Sequence, residues 1–392
     1  MDLLMAKVRL EQTLRAARQQ MDDGRPAIAE LMLRDATSAE AADLRRRALL
    51  DMRLSEHGRQ IAPSEGPKFL VIREWMEGFW SDVDHVLGAC VAAEISGRIP
   101  IVHWGSQSRY HDETSENAWP TFFERVSDAS LEDVQRQEVT FYPPKWNADN
   151  LDDIIVERGL GIDACSCTLE VLSRAEDVVV SDFHIGVAEI LPFIPAGNEM
   201  AGKSIQEARR IAIARYLRPA PGILKEVDEF AARHFGPERI LAVHLRGLDK
   251  ISEQHDLAEI NSRYPELIDK CLATDPDMKI FLLTDSASFA EWCREKYGDR
   301  LITTEARRAD GQVGLHYMEG ETSRSRLGVE VLVDTLLAAR CECFIGLASS
   351  NVSIFVRDLK VWPEGAIDLL GFAANDHPNL WVKLHPPAPR VL

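Results

Sequence analysis

The residues best equipped for chemistry stand at the end of an apolar run. In ILAVHLRGLDK (240–250) an imidazole (His244), a guanidinium (Arg246) and a carboxylate (Asp249) follow one another within six residues. The run predicts a buried strand, and the carboxyl edge of such a strand is where open α/β sheets bind ligands. Side chains two apart share a strand face, so His244 and Arg246 are expected to serve one site. A guanidinium presents a planar fork of donors that grips a diphosphate and neutralises charge on a departing nucleotide. The imidazole could hydrogen-bond phosphate, ribose or base. An Arg246–Asp249 salt bridge is the structural alternative.

Three further clusters have chemical potential. In FLLTDSASF, Asp285 and Ser286 end a second apolar run, where they could bind ligand or cap the next helix. Asp334 sits inside the apolar helical pattern GVEVLVDTLLAA, where a charge is costly without a partner. The run CECFIGLA then leads into Ser349-Ser350-Asn351 at a helix start, whose hydroxyls and amides suit a phosphate. Upstream, EGFWSDVDHVLGACVAAEISGR is a glycine-bearing loop opening a helix in which Gly88, Ala89, Ala92 and Ala93 permit close packing. It lacks the Gly-x-Gly-x-x-Gly dinucleotide fingerprint. Its Asp82-Val83-Asp84 suits either a metal or helix capping, and capping is the commoner use. Tyr110, Trp119, Phe122 and Phe123 form either a sugar-stacking wall or buried packing.

These residues need a scaffold, and the alternation of apolar runs with amphipathic segments supplies one. FLVI, IPIVHW, DVVVSD, RILAVHL, MKIFLLTD, RLITT and CECFIGLA read as strands separated by helices, which implies an α/β fold with parallel sheets. At 392 residues two α/β domains are expected. Residues 1–62, with apolar residues at helical spacing and a break at 22–24, read as a helical extension that packs on the body or on a dimer mate. Residues 63–235 form the amino-terminal domain, the acceptor side. Residues 236–392 form the carboxyl-terminal, donor-side domain, after a boundary rich in proline and glycine.

The net charge of −18 disfavours nonspecific nucleic-acid binding and offers no cationic face to anionic lipid. No apolar run is long enough for a signal core or a membrane span, which implies a cytoplasmic protein. The seven cysteines, including Cys165/Cys167 and Cys341/Cys343, are odd in number and scattered. They read as reduced residues rather than a disulfide framework or a metal site.

In order and spacing these clusters resemble the fucosyltransferase superfamily, which includes α1,6-fucosyltransferases and protein O-fucosyltransferases. The resemblance covers roughly residues 68–358. It is carried by His244-x-Arg246-x-x-Asp249-Lys250, by LLTDS ending at Asp285-Ser286, by Asp334 followed by SSNV, and by the glycine-led loop with Gly78, His85 and Val86. It implies a GT-B-like pair of Rossmann-like domains facing a cleft, GDP-fucose as donor, inversion at the sugar carbon and no required metal or other cofactor. By the same resemblance Arg246 holds the β-phosphate, His244 and Asp334 contact guanosine, and Ser349 and Ser350 bind diphosphate. Asp285, Gly78 and His85 join the donor site. Gly247 stands where the α1,6 enzymes have a second arginine. The base stays open among Glu253, Asp249 and Asp84. The partners implied are a nucleotide sugar and a carbohydrate-containing acceptor, with the amino-terminal helices available for a homodimer or another protein.

Overall fold

The computed structural model describes residues 2–23, 26–33, 38–57, 66–113, 115–135, 139–152, 168, 171–172, 174–181, 184–195, 197–248, 250, 254–311, 313–318 and 323–371. Two parallel sheets organise it. The first contains β1 (Phe69–Arg73), β2 (Ile99–His103), β3 (Phe141–Tyr142) and β4 (Val178–Ser181) in the order β2-β1-β4-β3. The second contains β5 (Ile240–Leu245), β6 (Lys279–Thr284), β7 (Leu301–Ile302), β8 (Cys343–Leu347) and β9 (Ile367–Leu370) in the order β7-β6-β5-β8-β9. Every pairing is parallel. All seven strands expected from the apolar runs are present. The two unforeseen ones carry little signal: β3 has two residues, and edge strand β9 exposes Asp368.

Period-two alternation sends each strand's apolar residues to both faces, as parallel sheets between helices require. Leu70 and Ile72 of β1 join a central core, whereas Phe69 and Val71 face Ile101, Val178 and Val180. In β5, Leu241, Val243 and Leu245 serve an outer core, and Ile240 and Ala242 turn to the central one.

The central core runs through both units. Trp80, on the Phe79–Ser96 helix of the first unit, stacks on Phe355 of the second with ring centroids 4.2 Å apart. Its indole N–H donates to Thr335 Oγ1 at 2.8 Å. The same helix lies close against the strand-to-helix turn after β4: a Cβ on Gly88 would stand 2.1 Å from the Ile185 carbonyl oxygen. That approach explains its run of small residues. Gly97, with φ 68°, ends the helix in the left-handed conformation that glycine adopts without steric cost.

The Pro221–His234 helix, assigned from sequence to the first domain, packs on the second. Phe230 and the following Phe235 meet Phe281 of β6 edge to face at 6.0 and 5.5 Å. Glu226 and Asp228 bond Arg326 and Arg340 of the Arg324–Arg340 helix. At the amino terminus, helices Asp2–Asp22, Pro26–Leu33 and Ala39–His57 share a small core of Leu14, Ala17, Ala29, Leu33, Ala41 and Ala48. The third rests against Leu191–Phe193, so the extension lies on the first unit. Among the described residues no helix is long and apolar enough to cross a membrane.

Candidate active site

From β5 the chain winds outward through β6 to β7, then returns to β8 on the opposite side of β5. In doubly wound sheets such a reversal marks the place where ligands bind, beyond the carboxyl ends of the strands on either side, here β5 and β8. His244 lies near the end of β5, and Ser349-Ser350 follow β8.

His244 is 4% exposed. Its Nδ1 lies 2.8 Å from Ser353 Oγ, and its backbone oxygen accepts the Tyr264 hydroxyl at 2.9 Å. Burial, reinforced by the charge of Arg246, pushes the imidazole down to about 3, so the ring is neutral in the physiological range. Arg246 stands just beyond the strand and pairs with Asp285. The same carboxylate accepts the Gly247 N–H at 3.0 Å, fixing side chain and loop together. Asp285 thus orients the guanidinium. Ser286 takes the ordinary capping role and accepts the Phe289 N–H at 3.2 Å. Asp249 and Glu253 lie outside the described residues.

Close packing shapes this loop. A Cβ on Gly247 would lie 3.1 Å from the Ser286 Cβ, so the missing side chain lets the loop sit on the next helix. Leu248 follows with φ 44°, and Met76, after the first strand of the other unit, has φ 69°. Positive φ is strained for both side chains.

On the β8 side, Ser349 Oγ donates to Gln254 Oε1 at 2.5 Å. Ser350 is the N-cap of the Asn351–Asp358 helix, yet its side chain caps no amide. The helix start therefore keeps donor capacity for an anion.

Asp334 projects from Arg324–Arg340 and accepts the Thr304 hydroxyl at 2.7 Å. Burial pushes its carboxyl up to about 7, against the opposing pull of Thr304 and Arg308. A raised native pKa means that the folded chain binds this proton more tightly than the unfolded chain, whose ordinary value is 3.8. The resulting stability is complete below about pH 4 and is lost as pH rises towards 7. Asp334→Asn is accordingly expected to be more stable than the parent at pH 8, by about 1 kcal/mol or more, with the gap closing towards pH 4. Urea unfolding at both pH values checks this, and a gap independent of pH would refute it.

The first unit departs from several expectations. Gly78 is the N-cap of Phe79–Ser96, and a Cβ there would meet nothing within 4 Å, consistent with an open loop. His85 has 0% exposure and its Nδ1 accepts the Ile185 N–H at 3.0 Å, so it braces the first unit instead of presenting a surface to a donor. Asp82 accepts the N–H groups of Met76 and Glu77 at 3.2 and 3.0 Å. Asp84 pairs with Arg209 at 3.2 Å, which occupies the third candidate base with an ion pair. The described residues contain no group of three His, Cys, Asp or Glu able to hold a metal. Tyr110, Trp119, Phe122 and Phe123 are 3%, 1%, 0% and 1% exposed, so of the two readings buried packing holds, with Tyr110, Phe122 and Phe123 around Phe79 and Trp119 against Phe123.

The two units meet across the cleft. Arg246 is near enough to Tyr110 to act on its phenol electrostatically. Arg109 lies 4.0 Å over the Tyr317 ring, and Tyr317 donates its hydroxyl to Glu77 at 3.2 Å. Asp112 accepts from the Ser323 hydroxyl at 2.7 Å and the Ser325 N–H at 3.2 Å. Sequence reasoning missed Ser353, Tyr264, Thr304 and Arg209. Only Arg209, a charge within the apolar face of Ile205–Tyr216, left a readable signal.

Comparison with known proteins bears on the fold. The family Nodulation protein Z (NodZ) matches residues 202–377. Nodulation protein Z of Bradyrhizobium diazoefficiens is 24% identical over 338 residues, covering 82% of this chain and 85% of its own. The crystal structure of NodZ α-1,6-fucosyltransferase soaked with GDP-fucose superposes with a TM-score of 0.52 at 22% identity, over 75% of this chain and 93% of that one. POFUT1 in complex with GDP-fucose gives a TM-score of 0.50 at 14% identity, over 78% and 99%. The chain is similar to proteins of the fucosyltransferase superfamily and has their GT-B-like fold.

Proposed function

We propose that the protein is an inverting fucosyltransferase that transfers fucose from GDP-fucose to a carbohydrate-containing acceptor. The observation that supports this reading is the placement of His244, Arg246 and the Ser349–Ser350 helix start at or just past the carboxyl ends of the neighbouring strands β5 and β8, at the sheet's switch point. A guanidinium and a helix N-terminus complement a diphosphate. The NodZ and POFUT1 structures in complex with GDP-fucose support the choice of nucleotide and sugar.

In this reading Arg246 holds the β-phosphate, oriented by Asp285, while Ser349 and Ser350 take the remaining diphosphate oxygens. His244 and Asp334 contact guanosine. The bond between the fucose carbon and the β-phosphate oxygen breaks as the acceptor hydroxyl bonds the opposite face of that carbon. Arg246 and the helix amides stabilise charge on the leaving GDP, which is why neither a metal nor another cofactor is required. The hydroxyl proton passes to a carboxylate, and Asp249 and Glu253 are the bases proposed.

The acceptor approaches from the first unit, whose Gly78 loop borders the cleft. The acidic composition suits a cytoplasmic protein handling a nucleotide sugar. Ile28 and Met32, 44% and 37% exposed on the Pro26–Leu33 helix, offer a contact for a second copy or another protein. Incubation with GDP-fucose and a panel of glycan acceptors tests the reading. It predicts GDP release and a fucosylated product of anomeric configuration opposite to the donor's. A product with retained configuration, or turnover only with UDP- or ADP-sugars, contradicts it.

A further inference from the structure

Ser353 lies in the first turn of the Asn351–Asp358 helix and is fully buried. Two groups meet its hydroxyl oxygen: the Leu347 N–H donates to it at 3.0 Å, and His244 Nδ1 lies 2.8 Å away. The fit is tight, since a Cβ on Gly346 would stand 2.5 Å from that oxygen. Because an amide N–H can only donate, the Leu347 bond uses an acceptor position on Ser353. The single hydroxyl proton has one other neighbour recorded among the described residues, the ring nitrogen of His244.

We propose that Ser353 is a positioning residue that locks His244 in the tautomer with its proton on Nε2, making the imidazole a fixed hydrogen-bond donor to an oxygen of the bound nucleotide. The hydroxyl donates to Nδ1, so Nδ1 carries no proton, and the neutral ring keeps its proton on Nε2. Among the described residues Nε2 has no hydrogen bond recorded, and His244 stands near the carboxyl end of its strand, 4% exposed. An Nε2–H there reads an acceptor oxygen and cannot take a proton from a sugar hydroxyl. His244 is thereby a recognition group and not a base. Tyr264 holds the same residue from the other side through the backbone oxygen at 2.9 Å, fixing the ring's origin as Ser353 fixes its orientation.

This inference rests on the donor-site reading of His244, and its tests separate the two. Nitrogen-15 NMR of the histidine-labelled protein, without ligand, is expected to show His244 as the Nε2–H tautomer. Ser353→Ala should convert it to a mixture. An Nδ1–H tautomer in the parent protein overturns the proposal whatever the protein binds. The second readout is GDP affinity. Ser353→Ala should weaken it about 5- to 10-fold, the effect of one hydrogen bond. In the His244→Gln background, where the amide replaces Nε2–H without tautomers, the same change should cost less than 2-fold by the same reckoning. Equal losses in both backgrounds would mean that Ser353 acts through the helix, and the tautomer lock would be rejected.

Discussion

Arg246→Ala is expected to lower the rate of sugar transfer by about 10²- to 10³-fold, the usual effect of removing one donor aimed at developing charge. The position of Arg246 motivates the size. It stands just past the carboxyl end of β5 at the sheet's switch point, held by Asp285 and by a loop that Asp285 also anchors at 3.0 Å. Lysine should restore little, because a point charge cannot reproduce the bidentate fork. Asp285→Asn should give a smaller loss, since it loosens the guanidinium without removing it. The check is single-turnover transfer with each variant, alongside GDP affinity. Transfer by Arg246→Ala within a factor of about 3 of the parent would remove this residue from the leaving-group role.

Arg209→Met is expected to destabilise the fold by about 3–5 kcal/mol, the cost of breaking a buried ion pair from one side. Arg209, 1% exposed, bridges Asp84 of Phe79–Ser96 at 3.2 Å and Asp358 of Asn351–Asp358 at 2.9 Å. Asp358 is also 2.6 and 2.8 Å from Arg357. It sits at the end of its helix, where the dipole disfavours a carboxylate, so a lost arginine leaves a charge both buried and badly placed. Methionine keeps most of the volume and so isolates the charge effect. Urea unfolding should show a lower midpoint with an unchanged slope. Matching midpoints would show that Arg357 alone satisfies Asp358. Since Ser350 is the N-cap of this helix and Ser353 lies on it, the same network holds the proposed diphosphate-binding end in place.

The fold was readable where apolar runs were long. All of the runs that read as strands formed them, because burial on both faces of a parallel sheet leaves a short continuous apolar run, which its length and flanking turn residues separate from a buried helix segment. The junction between units was less readable. Prolines mark it, but only packing shows that Pro221–His234 belongs with β6 and the Arg324–Arg340 helix. In the candidate site, residues at strand ends were legible as candidates because strand ends are where such sheets bind ligands. Side-chain pairings were not. Asp285 reads as a helix cap until its distance to Gly247 is known, and Asp84 reads as a base or metal ligand until Arg209 stands beside it. His85 was expected in the donor site from the family resemblance; three-dimensional packing buries it against Ile185. Ser353 gave no signal, since a serine in a helix is ordinary until its oxygen meets an imidazole.

The most direct measurement is calorimetric titration of the protein with GDP, UDP and ADP, each with and without chelator. The proposed donor site predicts micromolar binding that prefers GDP, is indifferent to chelator and is lost in Arg246→Ala. Equal or tighter binding of UDP or ADP, or GDP binding that survives loss of the arginine, would contradict it.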